Sequence, residues 1–119
     1  MNALYESGVT NAAGYRDVLP AQVAATCNEV HVVDVREPHE LTGELGHILG
    51  VEHAPLATVE AAAKSWSKDE VIVLVCRSGA RSGRAAAALR AMGFRRVMNM
   101  AGGMLAWNEA KLPVERTSA

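Results

Sequence analysis

Cys76 is followed by Arg77, Ser78, Gly79, Ala80, Arg81 and Ser82, and a cysteine beside two arginines and two hydroxyls is a candidate nucleophile. A thiol reacts as its thiolate, which nearby cations and a helix amino terminus favour. Unpaired backbone N–H groups at a helix start converge on an anion, so this segment could hold a charged sulfur or an oxyanion. Gly79 suits such a loop, because glycine takes the left-handed angles that a tight curl around a small anion requires. The competing reading is an inert, buried strand-end cysteine, the usual state of a free thiol. Four polar neighbours argue against it.

The elements that must position this loop are legible around it. Residues 71–75, Val-Ile-Val-Leu-Val, form a continuous and mostly β-branched run that predicts a strand buried on both faces, with Cys76 at its carboxyl end. Ala85, Ala88, Leu89 and Met92 recur at helical spacing, and Gly93 is placed to end that helix. Further strands are predicted at 15–19, 30–35, near 51–54 and at 96–99. Helices are predicted from Pro20 to about residue 27, from Pro38 to about residue 45, ending near Trp66, and after Gly102 and Gly103. Strands alternating with helices predict a parallel sheet covered on both faces. Ligands of such sheets bind outside the carboxyl ends of the strands, where Asp34, Arg36 and Cys76 would gather.

Four segments carry a resemblance. Cys76-Arg77-Ser78-Gly79-Ala80-Arg81-Ser82 resembles the active-site loop of the rhodanese family of sulfurtransferases, and Asp34-Val35-Arg36-Glu37 resembles its first signature. Gly46-His47-Ile48-x-Gly50 is similar to the second, and Gly102-Gly103-Met104-x-Ala106-Trp107 to the carboxyl-terminal one. The resemblance implies one rhodanese-like domain over residues 15–116, with an extension at 1–14 and a tail at 117–119. It implies a three-layer α/β fold with five parallel strands flanked by helices, and a cysteine that carries a persulfide. No cofactor and no metal is expected.

The chemistry expected is double displacement. The Cys76 thiolate takes the outer sulfur of thiosulfate or a persulfide, and a thiol or cyanide then removes it. Arg77 and Arg81 are expected to orient an anionic donor, the N–H groups of 77–82 to stabilise the persulfide, and Ser78 and Ser82 to donate hydrogen bonds or cap the helix. Asp34 and Arg36 either touch substrate or form a supporting network. His47 reads as a loop tie, Gly102-Gly103 as close packing before a helix and Trp107 as core. Cys27 is either a small packing residue or a resolving thiol. One rival is a cysteine-dependent phosphatase or arsenate reductase, which typically uses C-x5-R to enclose a tetrahedral oxyanion. Here Arg81 gives C-x4-R, a tighter cradle. A second rival is a non-catalytic module that binds a partner.

Composition bounds the rest. With 119 residues, half of them apolar, the chain can bury one core. A net charge of −1 gives no electrostatic case for a nucleic-acid or membrane partner. Arg77, Arg81, Arg84, Arg90, Arg95 and Arg96 nonetheless predict a locally positive surface at the site. The amino terminus does not read as a secretory signal, no apolar run is long enough to span a membrane, and two cysteines do not make a disulfide framework. A cytoplasmic protein is expected, serving a small sulfur donor and a thiol acceptor, with a sulfur-carrying protein among the candidates. A short loop without a lid predicts an accessible Cys76.

Overall fold

The computed structural model describes residues 3–117. Helix α1 (Ala3–Ser7) and strand β1 (Val9–Thr10) precede β2 (Arg16–Val18), α2 (Pro20–Thr26), β3 (His31–Asp34), α3 (Pro38–Leu41) and β4 (Glu52–His53). A 3-10 turn at Leu56–Thr58 leads into α4 (Val59–Ala63), β5 (Val71–Val75), α5 (Ala80–Ala91), β6 (Arg96–Met100) and α6 (Gly103–Glu109). The sheet order is β1-β2-β6-β5-β3-β4. Five strands are parallel, as expected, and β1 adds a sixth, antiparallel to β2.

Strand alternation divides the core in two. Val33, Ile72, Leu74 and Val97 face one side with Phe94 and the α4 and α5 residues Ala63, Ala85 and Leu89. Val32, Val73, Val75 and Met98 face the other with Leu4, Val23, Met104 and Trp107 from α1, α2 and α6. These are the three layers that the alternating pattern predicts. Each buried Val, Leu or Ile contributes roughly 1.5–3 kcal/mol of transfer free energy. Central β5 has four of its five residues buried, which explains why its sequence shows no polar alternation.

The segment expected as an extension packs on the domain over its described part: Leu4 is buried, Arg16 donates to the Tyr5 carbonyl at 2.7 Å, and β1 pairs with the otherwise open edge of β2. Two expected helices need correction. The helix expected from Pro38 to about residue 45 stops at Leu41, because side chains claim the carbonyls at its end. Arg36 Nη1 donates to the Glu40 carbonyl at 3.3 Å and His47 Nδ1 to that of Leu41 at 2.8 Å. The helix expected to end near Trp66 ends at Ala63, with turns after it. The expected tail at 117–119 lies, beyond Thr117, outside the described residues. Among the described residues no helix is long and apolar enough to cross a membrane.

Candidate active site

Cys76 leaves the carboxyl end of β5, and α5 begins at Ala80 behind Gly79. Gly79 has φ +102°, so the chain makes a left-handed turn that directs N–H groups inward. The Gly79 N–H donates to Cys76 Sγ at 3.0 Å, and Ser82 Oγ lies 3.3 Å from the same sulfur. Burial pushes the Cys76 thiol up. The Ser82 hydroxyl and the backbone N–H groups of Ser82, Gly79 and Ser78 more than offset this, and the thiol sits below its ordinary value of 9.0.

The other face of the loop rests on α6. Met104 N–H donates to the Cys76 carbonyl at 2.8 Å and Leu105 N–H to the Arg77 carbonyl at 3.0 Å. The first turn of α6 thereby finds acceptors for its unpaired N–H groups, and the loop carbonyls are drawn away from the sulfur. Gly103 permits this approach: a Cβ there would sit 2.5 Å from both the Cys76 and Arg77 oxygens. The expectation of close packing at Gly102-Gly103 holds, and Trp107 is core, with its Nε1 donating to the Pro113 carbonyl.

Register brings the remaining predicted residues to the same edge. Asp34 pairs across the sheet with Val75, one residue before Cys76. Asp34 and Arg36 are both buried, joined by Nη2 to Oδ2 at 2.8 Å and by Nε to both carboxylate oxygens. Arg36 Nη2 also donates to the Gly46 carbonyl at 2.7 Å. A fully buried pair whose remaining donors go to backbone carbonyls is a brace between β3, α3 and the loop that follows. His47, also buried, ties that loop to Leu41 as expected.

Two expectations about the loop change. Arg81 was expected to face an anionic donor, yet Nη1 and Nη2 bind Glu40 Oε1 and Oε2 at 2.7 and 2.9 Å. This bidentate pair fixes the first turn of α5 to α3. The Glu40 carboxyl is held at about 2 from an ordinary 4.5, mainly because Arg81 donates to it. Cys76 was expected to be accessible and is 1% exposed.

The arginine cluster is also divided. Arg95 pairs with Asp69, Arg96 donates to the Asp69 carbonyl, and Arg90 donates to the carbonyls of Phe94 and Arg95. Among the described residues Arg77 and Arg84 have no ion-pair partner. Exposed Arg77 directly follows Cys76 in the chain and lines a cleft of about 320 Å³ with His39, Glu40, Leu45 and Leu105. A more apolar cavity of about 370 Å³ includes Cys27, Ile48 and Trp107. Its lining residues 27–28 and 48–50 precede β3 and β4, so it opens at the amino-terminal edge of the sheet, away from Cys76. Both cysteines are free thiols.

Two residues at the site escaped sequence reasoning. Glu40 gave a faint signal as an acid one turn after Arg36. Asn99 gave a clearer one, as the single polar residue in the buried part of β6, next to Met98 and Met100. Asn99 Nδ2 donates to Asp17 Oδ1 at 3.2 Å and to the Gly79 carbonyl at 3.3 Å.

Comparison with known proteins agrees with this geometry. The profile of the rhodanese-like domain matches residues 19–110. A sulfurtransferase of Allochromatium vinosum is 36% identical over 94 residues, covering 79% of this chain and 86% of that protein. The thiosulfate sulfurtransferase GlpE of Vibrio cholerae is 30% identical over 99 residues, covering 83% and 92%. A rhodanese-related protein of Thermoplasma volcanium superposes with a TM-score of 0.78 at 28% identity, over 87% of this chain and all of that one. The chain spans only 48% and 61% of two other relatives, uncharacterized proteins of Synechocystis and Bacillus subtilis. With that profile matched over residues 19–110, and with relatives matched along most of their own length at 30% identity or more, this chain belongs to the rhodanese-like domain family, and its Cys76 loop lies between β5 and α5.

Proposed function

We propose that the protein is a sulfurtransferase in which Cys76 carries sulfane sulfur between a donor and an acceptor. The observation that carries this reading is the Cys76 sulfur itself, buried yet surrounded by N–H and O–H donors that favour its charged form. The thiolate attacks the outer sulfur of thiosulfate or a persulfide. The S–S bond of the donor breaks, sulfite or a thiolate leaves with the electron pair, and a Cys76 persulfide forms. Its outer sulfur keeps the negative charge and lies where loop N–H groups and Arg77 offset it. A thiolate or cyanide then attacks that sulfur and releases the Cys76 thiolate.

The depth of Cys76 favours this chemistry, since a terminal sulfur is slim enough to enter where a phosphate ester is not. The Arg81–Glu40 pair argues in the same direction. An arginine whose fork is closed on a carboxylate is not free to clamp a phosphate or arsenate. Thiosulfate is the donor suggested by the relative from Vibrio cholerae; a thiol or a sulfur-carrying protein would be the acceptor. Two free cysteines suit a reducing compartment such as the cytoplasm.

The test is intact mass after incubating reduced protein with thiosulfate and, separately, with a small persulfide. Gain of one sulfur atom, absent in Cys76→Ser and removed by cyanide or thiol, is expected. Absence of the adduct with both donors would overturn the proposal.

A further inference from the structure

Ser82 Oγ lies 2.5 Å from Asn99 Oδ1 as well as 3.3 Å from Cys76 Sγ. A hydroxyl has one proton, so it donates to one of these acceptors at a time. The competitor is held in place. Asn99 is 6% exposed and is the register partner of Asp17 on β2. Its amide nitrogen faces two acceptors, Asp17 Oδ1 and the Gly79 carbonyl. Asp17 is itself anchored by Asn11 Nδ2 at 3.2 Å. Turning the amide over would set its oxygen against both acceptors, so Oδ1 stays aimed at Ser82.

We propose that Asn99 is a positioning residue for the Cys76 nucleophile, withholding the Ser82 proton from the sulfur. The inference rests on Cys76 being the nucleophile. With Cys76 as a thiol, S–H donates to Ser82 Oγ and Ser82 O–H to Asn99 Oδ1, so each proton has one acceptor. With Cys76 as a thiolate, the O–H turns about the Cβ–Oγ bond towards sulfur, no covalent bond changes, and two oxygens are left facing each other at 2.5 Å. That cost falls on the thiolate alone. Nucleophilicity declines as a thiol becomes more acidic, and the best attacking thiol titrates near the ambient pH. Asn99 thus limits how far the loop N–H groups acidify Cys76, and preserves reactivity. The charged groups around the sulfur are Arg77 and Arg81 on its own loop and helix, Glu40 of α3 bound to Arg81, the Asp34–Arg36 pair from β3, and Asp17 of β2 behind Asn99.

The test follows iodoacetamide alkylation of Cys76 against pH in a Cys27→Ser background, where one thiol remains. Asn99→Leu is expected to speed alkylation roughly threefold to tenfold at a pH where the parent thiol is mostly protonated, and to lower the plateau rate at high pH. Ser82→Ala should slow low-pH alkylation less in the parent than in Asn99→Leu, a coupling that a structural role does not produce. Loosening of the loop would instead cost the Gly79 N–H contact and move the thiol upward. Asp17→Ala, at a part-exposed site, frees the same amide if Asn99→Leu does not fold; its effect should likewise vanish when Ser82 is Ala. Equal Ser82→Ala effects in both backgrounds, or an upward shift in Asn99→Leu, would overturn the proposal. Alkylation needs no sulfur donor, so intact coupling without persulfide formation would sink only the transferase reading, and the reverse outcome only this one.

Discussion

Replacing Glu40 by Gln keeps the shape of the side chain and removes the charge that Arg81 holds. The carboxyl titrates at about 2 in the fold against an ordinary 4.5. The Arg81 hydrogen bonds come first among the causes; burial opposes them, and the Glu37 N–H and the charges of Arg81 and Arg36 add to them. A carboxyl lowered on folding stabilises the native state fully above its unfolded value, and that contribution is lost as pH falls through the folded one. The full gap is equivalent to about 3 kcal/mol. Side-chain exposures of 29% for Arg81 and 18% for Glu40 let water screen the pair, which reduces the expectation to about 1–2 kcal/mol. Urea unfolding of wild type and Glu40→Gln between pH 7 and pH 2, at fixed ionic strength, measures it. Wild type should be the more stable by that amount at neutral pH, and the difference should close between about pH 5 and pH 2. A difference that stays constant over the whole range, with equal m-values, would refute the assignment to this ion pair.

Two further outcomes follow from the loop. Gly103→Ala should destabilise the fold by more than about 2 kcal/mol and impair sulfur loading, since φ is +57° and the new methyl meets two carbonyl oxygens at 2.5 Å; an unchanged Tm with normal loading would show that α6 can retreat freely. Arg77→Ala should raise KM for dianionic thiosulfate roughly tenfold and affect a singly charged persulfide donor less. Arg81→Ala should chiefly lower stability, and donor-resolved steady-state kinetics that placed the larger thiosulfate effect on Arg81 would reverse the assignment.

The parts of the site that were legible in the sequence are those set by local chain chemistry. Val71 to Val75 announces a doubly buried strand, and polar Arg77 to Ser82 announces a loop entering a helix, because both signals lie within one element and its neighbour. The Asp34–Arg36 brace was legible as a supporting network for the same reason, its partners being two residues apart. Glu40 and Arg81 are 41 residues apart, and nothing in either segment distinguishes a clamp from a solvated charge. The depth of Cys76 was misjudged because burial depends on how closely α6 approaches, a distance decided by a glycine 27 positions downstream. Asn99 could have been found, since a polar residue within a run of buried Val and Met demands a partner. Segment 3–14 has no apolar periodicity long enough to register as a packing element, yet Leu4, with Tyr5 beside it, joins the core of β2 and α2.

The way α6 underlies the loop has a consequence for the order in which the protein becomes reactive during synthesis. Cys76 emerges from the ribosome well before Asn99, Met104 and Leu105, yet those residues hold the Gly79 carbonyl and the Cys76 and Arg77 carbonyls in their final directions. Until they arrive, the loop peptides have no reason to turn their N–H groups towards the sulfur, and the thiol keeps the acidity of an unfolded chain. The thiol of the unfinished chain is therefore less acidic than that of the folded one. The shift that favours the thiolate arises in the same step that completes the fold.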